Sequence, residues 1–454
     1  MRSIITQRAH SAPRRLYSTA PSKQLVGKNV SPIALSVKRE RQDITILKPL
    51  NARRAILDSG KCNTFDVGPH GGCESLVAES LQGVPREDFI FISHGGRIED
   101  SDKRNHHLPG HEESEFNEWN PFHPKRIVSR IQQSLYATGL DHIDSFIVDN
   151  LHLPNVRSSQ RTEMIQQLFT TLEEQVQKGN IKSYGVTLDP LGPMELKLHD
   201  VEKVSHGKGL AVLQHPANLL RLEELARYDE IPKKFGGMLR MATDPLEGVD
   251  VRGIHHELRS KYVSRKDCID QLQKVLNNCI HLEEEYEGAN DLNGPKLTQI
   301  SWGKVIASNA DELFNDAGKW KRAYEGHILP SLTDALIKLA PNPKYKKWAQ
   351  AYREVTTGLF HLVSQVVEYN SHLKSREIDE ILQSVRGFGE ETQLETKAIA
   401  LLLSSGMVDC VSCEVQDEAL MRQVVEGAEM SGRVRIEDEK ALYERLARFG
   451  SDEQ

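Results

Sequence analysis

Short apolar runs alternate with amphipathic helical segments over the first half of the chain. Residues 124–138 are predicted to form a helix, because Ile127, Ile131 and Leu135 recur at a spacing of four and Gly139 is a stop signal. A second helix is predicted to end near residue 179. The apolar runs between the helical segments lie at residues 62–66, 88–93, 143–148, 181–187, 210–214 and 237–243. Such alternation is typical of a parallel sheet that is covered by helices.

Two further strand-like runs complete the pattern. Residues 31–37 precede the series and residues 408–415 follow it near the C-terminus. Eight such units favour a closed barrel over an open doubly wound sheet, and no glycine-rich dinucleotide fingerprint follows the first strand. We therefore expect an α/β fold, a (β/α)8 TIM barrel.

The span from about residue 250 to residue 395 departs from this rhythm. It carries helical signals and no strand signal, and it is far too long for an ordinary connection between a strand and a helix. The run at residues 283–285, three glutamates, is expected to be a solvated helix face. The predicted helices in this span lie at residues 266–287, 311–324, 344–372 and 377–385. We therefore predict a first barrel part at 24–250, a helical insertion at 251–390, the last barrel helix and strand at 391–440, and a C-terminal tail at 441–454.

The N-terminal residues have the composition of a mitochondrial transit peptide. The first acidic residue is Glu40, and the arginines that precede it are spread among serine and alanine. Mitochondrial import selects cationic, amphipathic segments of this kind. We expect residues 1–23 to be a transit peptide and flexible N-terminus, with cleavage near Ser18 and a location in the mitochondrial matrix. The alternative is a disordered basic tail.

Composition excludes several classes of function. The 454 residues carry a net charge of -7, so no basic excess points to nucleic acid as a partner. No apolar run approaches the ~20 residues that a membrane-spanning helix needs. Six cysteines are ordinary usage for this length. Cys410 and Cys413 are three residues apart on a predicted strand and face opposite sides of it, so they are expected to be core thiols.

Six segments resemble sequence patterns of the aldo-keto reductases, and they occur in that family's order. The first, at 50–66, resembles the family's helix ending in ALDSG and strand ending in FDT. The segments are LNARRAILDSGKCNTFD at 50–66, REDFIFIS at 86–93, SRIQQSLYATGLDHIDSFIV at 129–148, LEEQVQKGNIKSYGVT at 172–187, VLQHPANLL at 212–220 and DPLEG at 244–248. The resemblance covers about 31–250 and 390–430. It implies a TIM barrel of aldo-keto reductase type and hydride transfer from NADPH to a carbonyl.

The family's reaction uses four side chains at the C-terminal ends of barrel strands. A tyrosine donates the proton to the carbonyl oxygen, a lysine lowers the pKa of that tyrosine, an aspartate holds the lysine, and a histidine polarises the carbonyl. By resemblance these positions are Asp66 for the aspartate, Gly71 for the tyrosine, His94 for the lysine and Asp149 for the histidine. One of the four is retained. His70, beside the tyrosine position, and His152, just after Asp149, are candidate substitutes.

The positions that would bind the cofactor are also altered. The family's serine and asparagine that read the nicotinamide carboxamide are Thr187 and Leu188 here, whereas the glutamine is retained. Acidic residues surround the place where a 2′-phosphate is held, and they would repel it. The positions that the resemblance implies for NADP are Thr187, Gln214, Pro245, Leu246 and Arg422. We expect weak cofactor binding at best.

Two clusters of ligand-type residues have alternative interpretations. Asp66, His70, His94 and Asp149 are expected at one barrel mouth, where such groups can bind a metal or perform acid–base chemistry. The loop at 106–113, HHLPGHEE, could bind zinc. We expect no metal at either place: the first set is read as polar groups in a solvated cleft, and the second as exposed loop histidines.

Two classes of function follow. The first is a catalytically impaired barrel that acts as a mitochondrial interaction or assembly component and binds a protein partner through the helical insertion. The second is an active NADPH-dependent oxidoreductase that reduces carbonyl substrates with a non-standard proton donor, His94 or His70. A different reaction in the same cleft is a third alternative, and fold alone does not choose between them.

Overall fold

The structure, a computed structural model, describes most of the predicted elements. It covers residues 23–37, 62–68, 72–96, 122–149, 158–187, 209–220, 237–246, 249–251, 254–256, 258, 265–288, 299–315, 317–415, 418–436 and 439–447. The chain divides into two compact units. The barrel unit comprises residues 1–246 and 385–440, and the helical unit comprises residues 247–384 and 441–454.

Eight parallel strands of the barrel unit close into a barrel, as the alternation of apolar runs predicts. The order around the barrel is β12-β3-β4-β5-β6-β7-β8-β9, and every neighbouring pair is parallel. The prediction of a (β/α)8 TIM barrel is confirmed, because each predicted run overlaps one of these strands. Their bounds are β3 Ile33–Val37, β4 Thr64–Val67, β5 Ile90–Gly95, β6 Ser145–Val148, β7 Tyr184–Thr187, β8 Leu210–Pro216, β9 Leu239–Thr243 and β12 Cys410–Glu414.

A short hairpin covers the N-terminal end of the barrel. It consists of β1 (Gln24–Leu25) paired antiparallel with β2 (Lys28–Asn29). Leu25 and Val30 belong to the same buried cluster as inward-facing strand residues such as Ile92 and Met241. The Lys28 ammonium donates hydrogen bonds to the carbonyl oxygens of Arg86 and Phe89, at 2.9 and 2.7 Å. The polar side chains inside the barrel therefore lie at the opposite end, which we call the rim.

Helices of the barrel unit surround the strands. The predicted helix at 124–138 has these bounds, and it stops at Gly139, whose φ of 66° is a left-handed conformation that glycine adopts without strain. The described helices are α1 Cys73–Ser80, α2 Pro124–Thr138, α3 Ser158–Gln177, α10 Leu394–Ser404 and α11 Glu418–Met430. Ser93 of β5 donates a 2.6 Å hydrogen bond to Glu74 of α1, and Arg130 of α2 pairs with the same carboxylate at 2.8 Å.

The helical unit has a hydrophobic core of its own, in which residues such as Leu276, Trp320, Tyr352 and Val363 are buried. Between 250 and 395 the sequence predicts no strand, but β10 (Val249–Val251) and β11 (Ile254–His256) form an antiparallel pair outside the barrel. Strands of three residues are too short to show a period of two. The other elements are α4 Arg265–Gly288, α5 Trp302–Ser308, α6 Ala310–Leu313, α7 Ala317–Ala323, a π-helical turn at Tyr324–Ile328, α8 Leu329–Leu339, α9 Lys346–Leu382 and α12 Glu439–Ala447.

Three sequence predictions for this part of the chain need correction. The separate helices predicted at 344–372 and 377–385 are the single 37-residue helix α9, because no proline interrupts it. The predicted tail from 441 contains most of α12. The glutamate run is only partly a solvated face, since Glu283 is buried whereas Glu284 and Glu285 are exposed.

Within the described residues, none of the helices has the length and apolar character required to cross a membrane.

Candidate functional site

Five polar side chains that the sequence singles out meet inside the barrel at its rim. Asp66 is on β4, His94 on β5, Asp149 directly after β6, Thr187 at the end of β7 and Gln214 on β8. Side chains alternate between the two faces of a strand, so a residue two positions after an inward-facing residue also faces inward. Each of these five residues stands two positions after an inward-facing residue and lies one layer closer to the rim. Thr187 is half-buried, and the other four are buried. We call these five residues the rim ring.

The rim ring is closed by hydrogen bonds between its own members. His94 contacts Asp66 through Nε2 and lies 2.8 Å from Asp149 Oδ1 through Nδ1. The Thr187 hydroxyl donates to the same Asp149 oxygen at 3.1 Å and lies 3.4 Å from Gln214 Oε1. The Gln214 amide nitrogen donates to Asp66 Oδ1 at 3.1 Å, which completes the circle. Polar groups from five neighbouring strands therefore satisfy one another.

Ser412 is a sixth participant that the sequence reasoning missed. Its hydroxyl donates to Asp66 Oδ2 from β12, across the barrel seam. Ser412 is buried and lies two residues after Cys410, which faces the barrel core. The alternation of Cys410, Ser412 and Glu414 along a predicted strand was the available signal.

By resemblance His94 stands at the position of the family's lysine, but its side chain has different partners. Both ring nitrogens face carboxylate oxygens, Asp66 on one side and Asp149 on the other. The ring is fully buried, and its position is further fixed by Arg130, whose Nε donates to the His94 carbonyl oxygen at 3.2 Å. In this arrangement neither nitrogen is directed at a substrate.

The residues implied for NADP have different surroundings in the described part of the chain. The Gln214 amide nitrogen donates to Asp66 within the rim ring, and its amide oxygen lies 3.4 Å from the Thr187 hydroxyl. Pro245 and Leu246 follow β9 at the rim and are buried. Arg422 is on α11, where it pairs with Glu418 at 2.6 Å and both side chains are mostly exposed. Of the described residues implied for NADP, Gln214 and Arg422 thus have polar partners within the chain.

Several predicted site residues lie outside the described residues: His70, Gly71, His152, Leu188 and the loop at 106–113. Among the residues described, no three or more histidines, cysteines, aspartates or glutamates are grouped in a way that could hold a metal ion.

Two titratable groups beside the rim ring are held neutral by burial. His215 follows Gln214 and faces the opposite side of β8; burial lowers its pKa to about 3, and the nearby charge of Arg240 adds to the shift. Burial likewise raises the pKa of the Cys410 thiol well above its usual value, with Cys62 and Asp66 contributing. Cys410 and Cys413 are both buried free thiols, as the strand alternation predicts.

No family model matches this chain, and no curated protein matches it either. Among solved structures, an aldo/keto reductase from Klebsiella pneumoniae in complex with NADP and acetate is similar, at 16% sequence identity and a TM-score of 0.35. That match covers 49% of this chain and 66% of the reductase. An aldo/keto reductase from Brucella melitensis gives 16% identity, a TM-score of 0.34, and coverage of 49% and 72%. At this identity and TM-score the matches carry no argument, so the fold rests on the chain's own eight parallel strands and the chemistry of the rim on its own residues.

Proposed function

We propose that this chain is a mitochondrial barrel protein that has lost carbonyl reduction and acts as an interaction or assembly component. The observation that carries the loss of activity is the closure of the rim ring. A proton donor for a carbonyl must present a donor hydrogen to the developing oxyanion. The groups that could do so at the rim donate to one another instead.

The charge at the rim supports the same conclusion. Asp149 replaces a histidine that faces the carbonyl in the family, so the barrel has a carboxylate where hydride transfer develops negative charge on oxygen. In a buried, weakly polar site that repulsion raises the barrier to the reaction. The position of the family's lysine is His94 here, and the retained aspartate, Asp66, accepts hydrogen bonds from Gln214 and Ser412.

The interaction role rests on the helical unit. Most of the large apolar side chains that the described residues expose belong to it, with Ile337 exposed to 65%. These exposed residues are Ile269, Val305, Leu329, Ile337 and Leu373. Larger exposed apolar surfaces mark sites of protein association, whereas isolated exposed residues are ordinary. The ligand proposed for the helical unit is therefore a protein partner in the mitochondrion.

The activity half of the proposal is tested with the processed chain, NADPH and a panel of aldehydes and quinones. We expect no NADPH consumption above the rate without protein. Turnover that disappears in His94→Ala or in His70→Ala would establish the alternative, an NADPH-dependent oxidoreductase with a non-standard proton donor.

The interaction half is tested by the size of the assembly in mitochondria. The chain is imported into isolated mitochondria, and its sedimentation is compared with that of the purified protein. We expect a larger species, N-terminal processing near Ser18, and a shift back to the free size in Ile337→Glu but not in Thr170→Glu, a control at an exposed position on α3 of the barrel unit. Equal sedimentation in and out of mitochondria would contradict the proposal.

A further inference from the structure

The rim ring contains one more hydrogen-bond acceptor facing His94 than a neutral histidine can satisfy. A neutral imidazole has one N–H and one lone pair, whereas an ionised carboxylate only accepts. His94 presents Nε2 to Asp66 and Nδ1 to Asp149, the latter at 2.8 Å. If His94 were neutral between two ionised carboxylates, a ring lone pair would face a carboxylate oxygen at hydrogen-bond distance. The geometry therefore requires an additional proton.

The remaining contacts indicate which group carries that proton. Both oxygens of Asp66 are already accepting, Oδ1 from Gln214 at 3.1 Å and Oδ2 from the Ser412 hydroxyl. Asp149 Oδ1 accepts from Thr187 at 3.1 Å in addition to its contact with His94. Carboxylates that accept several hydrogen bonds are stabilised in their ionised form. The proton is then best accommodated on the imidazole, which can donate from both nitrogens.

We infer that His94 is an imidazolium at neutral pH, and that its two charge-assisted hydrogen bonds form a proton clasp which holds β4, β5 and the end of β6 together at the rim. Loss of this proton at alkaline pH would release the clasp. The inference goes beyond the proposed function, because it concerns the state of the rim whether or not a partner binds elsewhere.

The ionisable groups around the clasp favour this state. Asp66 from β4 and Asp149 after β6 contact the ring directly. Cys410 on β12 is close to Asp66 and remains a neutral thiol, because burial raises its pKa. Arg130 on α2 reaches the His94 backbone, and its charge is balanced by Glu74 of α1 at 2.8 Å. Of the described groups, two carboxylates therefore contact the imidazole directly.

The clasp has a defined effect on stability against pH. In the unfolded chain a histidine loses its proton near its ordinary pKa of about 6.5. The folded state retains the proton to higher pH, so the contribution of the clasp is complete below about pH 6.5 and declines as the pH rises above it.

The test is NMR of the full chain labelled with ¹⁵N in the histidine rings. The His94 signals are those that vanish in His94→Gln; should that variant not fold, they are assigned in the wild type by through-bond correlation to the His94 backbone. At pH 7.5 we expect both His94 nitrogens to show imidazolium shifts in the wild type and in His281→Gln, an exposed control. In Asp149→Asn we expect a neutral ring, because the asparagine amide can donate to Nδ1.

Two results would overturn the inference. One is a neutral His94 in the wild type at pH 7.5, which would place the additional proton on a carboxylate or show that it is absent. The other is an imidazolium that persists in Asp149→Asn, which would show that Asp149 does not hold the proton. NADPH turnover bears on neither result, so failure of the proposed function is distinguished from failure of the clasp.

Discussion

At the scale of the residue, the rim ring consists of common polar side chains, and the hydrogen bonds between them give the ring its structure. Thr187 makes the point most simply, because its hydroxyl links Asp149 to Gln214 and so joins the imidazole side of the ring to the amide side. His215 follows Gln214 on β8 and faces the opposite side of the strand, where it is buried and neutral. Two neighbouring residues on one strand therefore differ: Gln214 is hydrogen-bonded within the rim ring, whereas His215 is buried on the other face and held neutral.

Thr187→Val should weaken the rim ring without changing its shape. The substitution removes the hydroxyl and leaves Asp149 short of one donor, so we expect the free energy of unfolding to fall by about 1–2 kcal/mol. Urea denaturation measures it. Thr170→Val is the matched control, because Thr170 is exposed on α3 and bonds the carbonyl of Gln166. Equal losses in the two variants would show that the rim hydrogen bond contributes nothing.

His215 should make the protein sensitive to acid. Its pKa falls from an ordinary value of 6.5 to about 3 on folding, so the unfolded state binds the proton first and stability declines as pH drops below about 6.5. At pH 5 the cost is about 2 kcal/mol, since each pKa unit corresponds to about 1.4 kcal/mol. We expect His215→Gln to lessen the loss of stability between pH 7 and pH 5 by this amount, and exposed His281→Gln to leave it unchanged. An identical pH dependence in wild type and His215→Gln would contradict the buried neutral assignment.

At the scale of the element, both units depend on close contacts that periodicity alone does not reveal. In the barrel unit, α11 approaches α10 through Gly427, where an added Cβ would lie 2.8 Å from Ile399 Cβ and 2.8 Å from the Thr396 carbonyl oxygen. In the helical unit, the buried Glu283 of α4 accepts from the backbone N–H of Gly303 at 2.6 Å and from the Tyr352 hydroxyl at 2.8 Å. Each contact joins elements that are separate in sequence.

Gly427→Ala should destabilise the barrel unit although alanine is the better helix former. The added methyl group must displace Ile399 or the backbone of α10, and such overpacking costs about 1–3 kcal/mol. Gly358→Ala is the control within α9, because its nearest neighbour would be Val275 Cγ1 at 4.0 Å. There we expect a gain of up to about 1 kcal/mol from helix propensity. Thermal unfolding compares the two, and a gain in both would refute the close packing at Gly427.

Glu283→Ala should destabilise the helical unit far more than the same change at its neighbours. It leaves the Gly303 and Lys304 N–H groups and the Tyr352 hydroxyl without the carboxylate, and we expect a loss of about 2–4 kcal/mol. Glu284→Ala and Glu285→Ala, both on the exposed face, should change stability by less than about 0.5 kcal/mol. Indistinguishable unfolding of the three variants by urea would show that Glu283 has no structural role.

At the scale of the whole molecule, the sequence was sufficient for the architecture and insufficient for the site. The eight strands were predictable because each is a continuous apolar run, and buried parallel strands have no other pattern. Glu283 was misjudged because its neighbours are acidic, although Cys279 and Tyr286 on the same helix face are buried. Closure of the rim ring was beyond prediction, since it depends on strand register, and Ser412 is 346 positions from the Asp66 that it contacts.

The central claim is that the groups with which a reductase of this fold would bind its cofactor are hydrogen-bonded to one another within the rim ring. Isothermal titration calorimetry of NADPH into the processed chain tests it most directly. We predict no saturable binding at micromolar NADPH, in the wild type and in Gln214→Ala alike, because the Gln214 amide nitrogen is already bonded to Asp66. Stoichiometric binding by the wild type that is weakened in Gln214→Ala would contradict the account and show that the barrel still takes its cofactor through the rim.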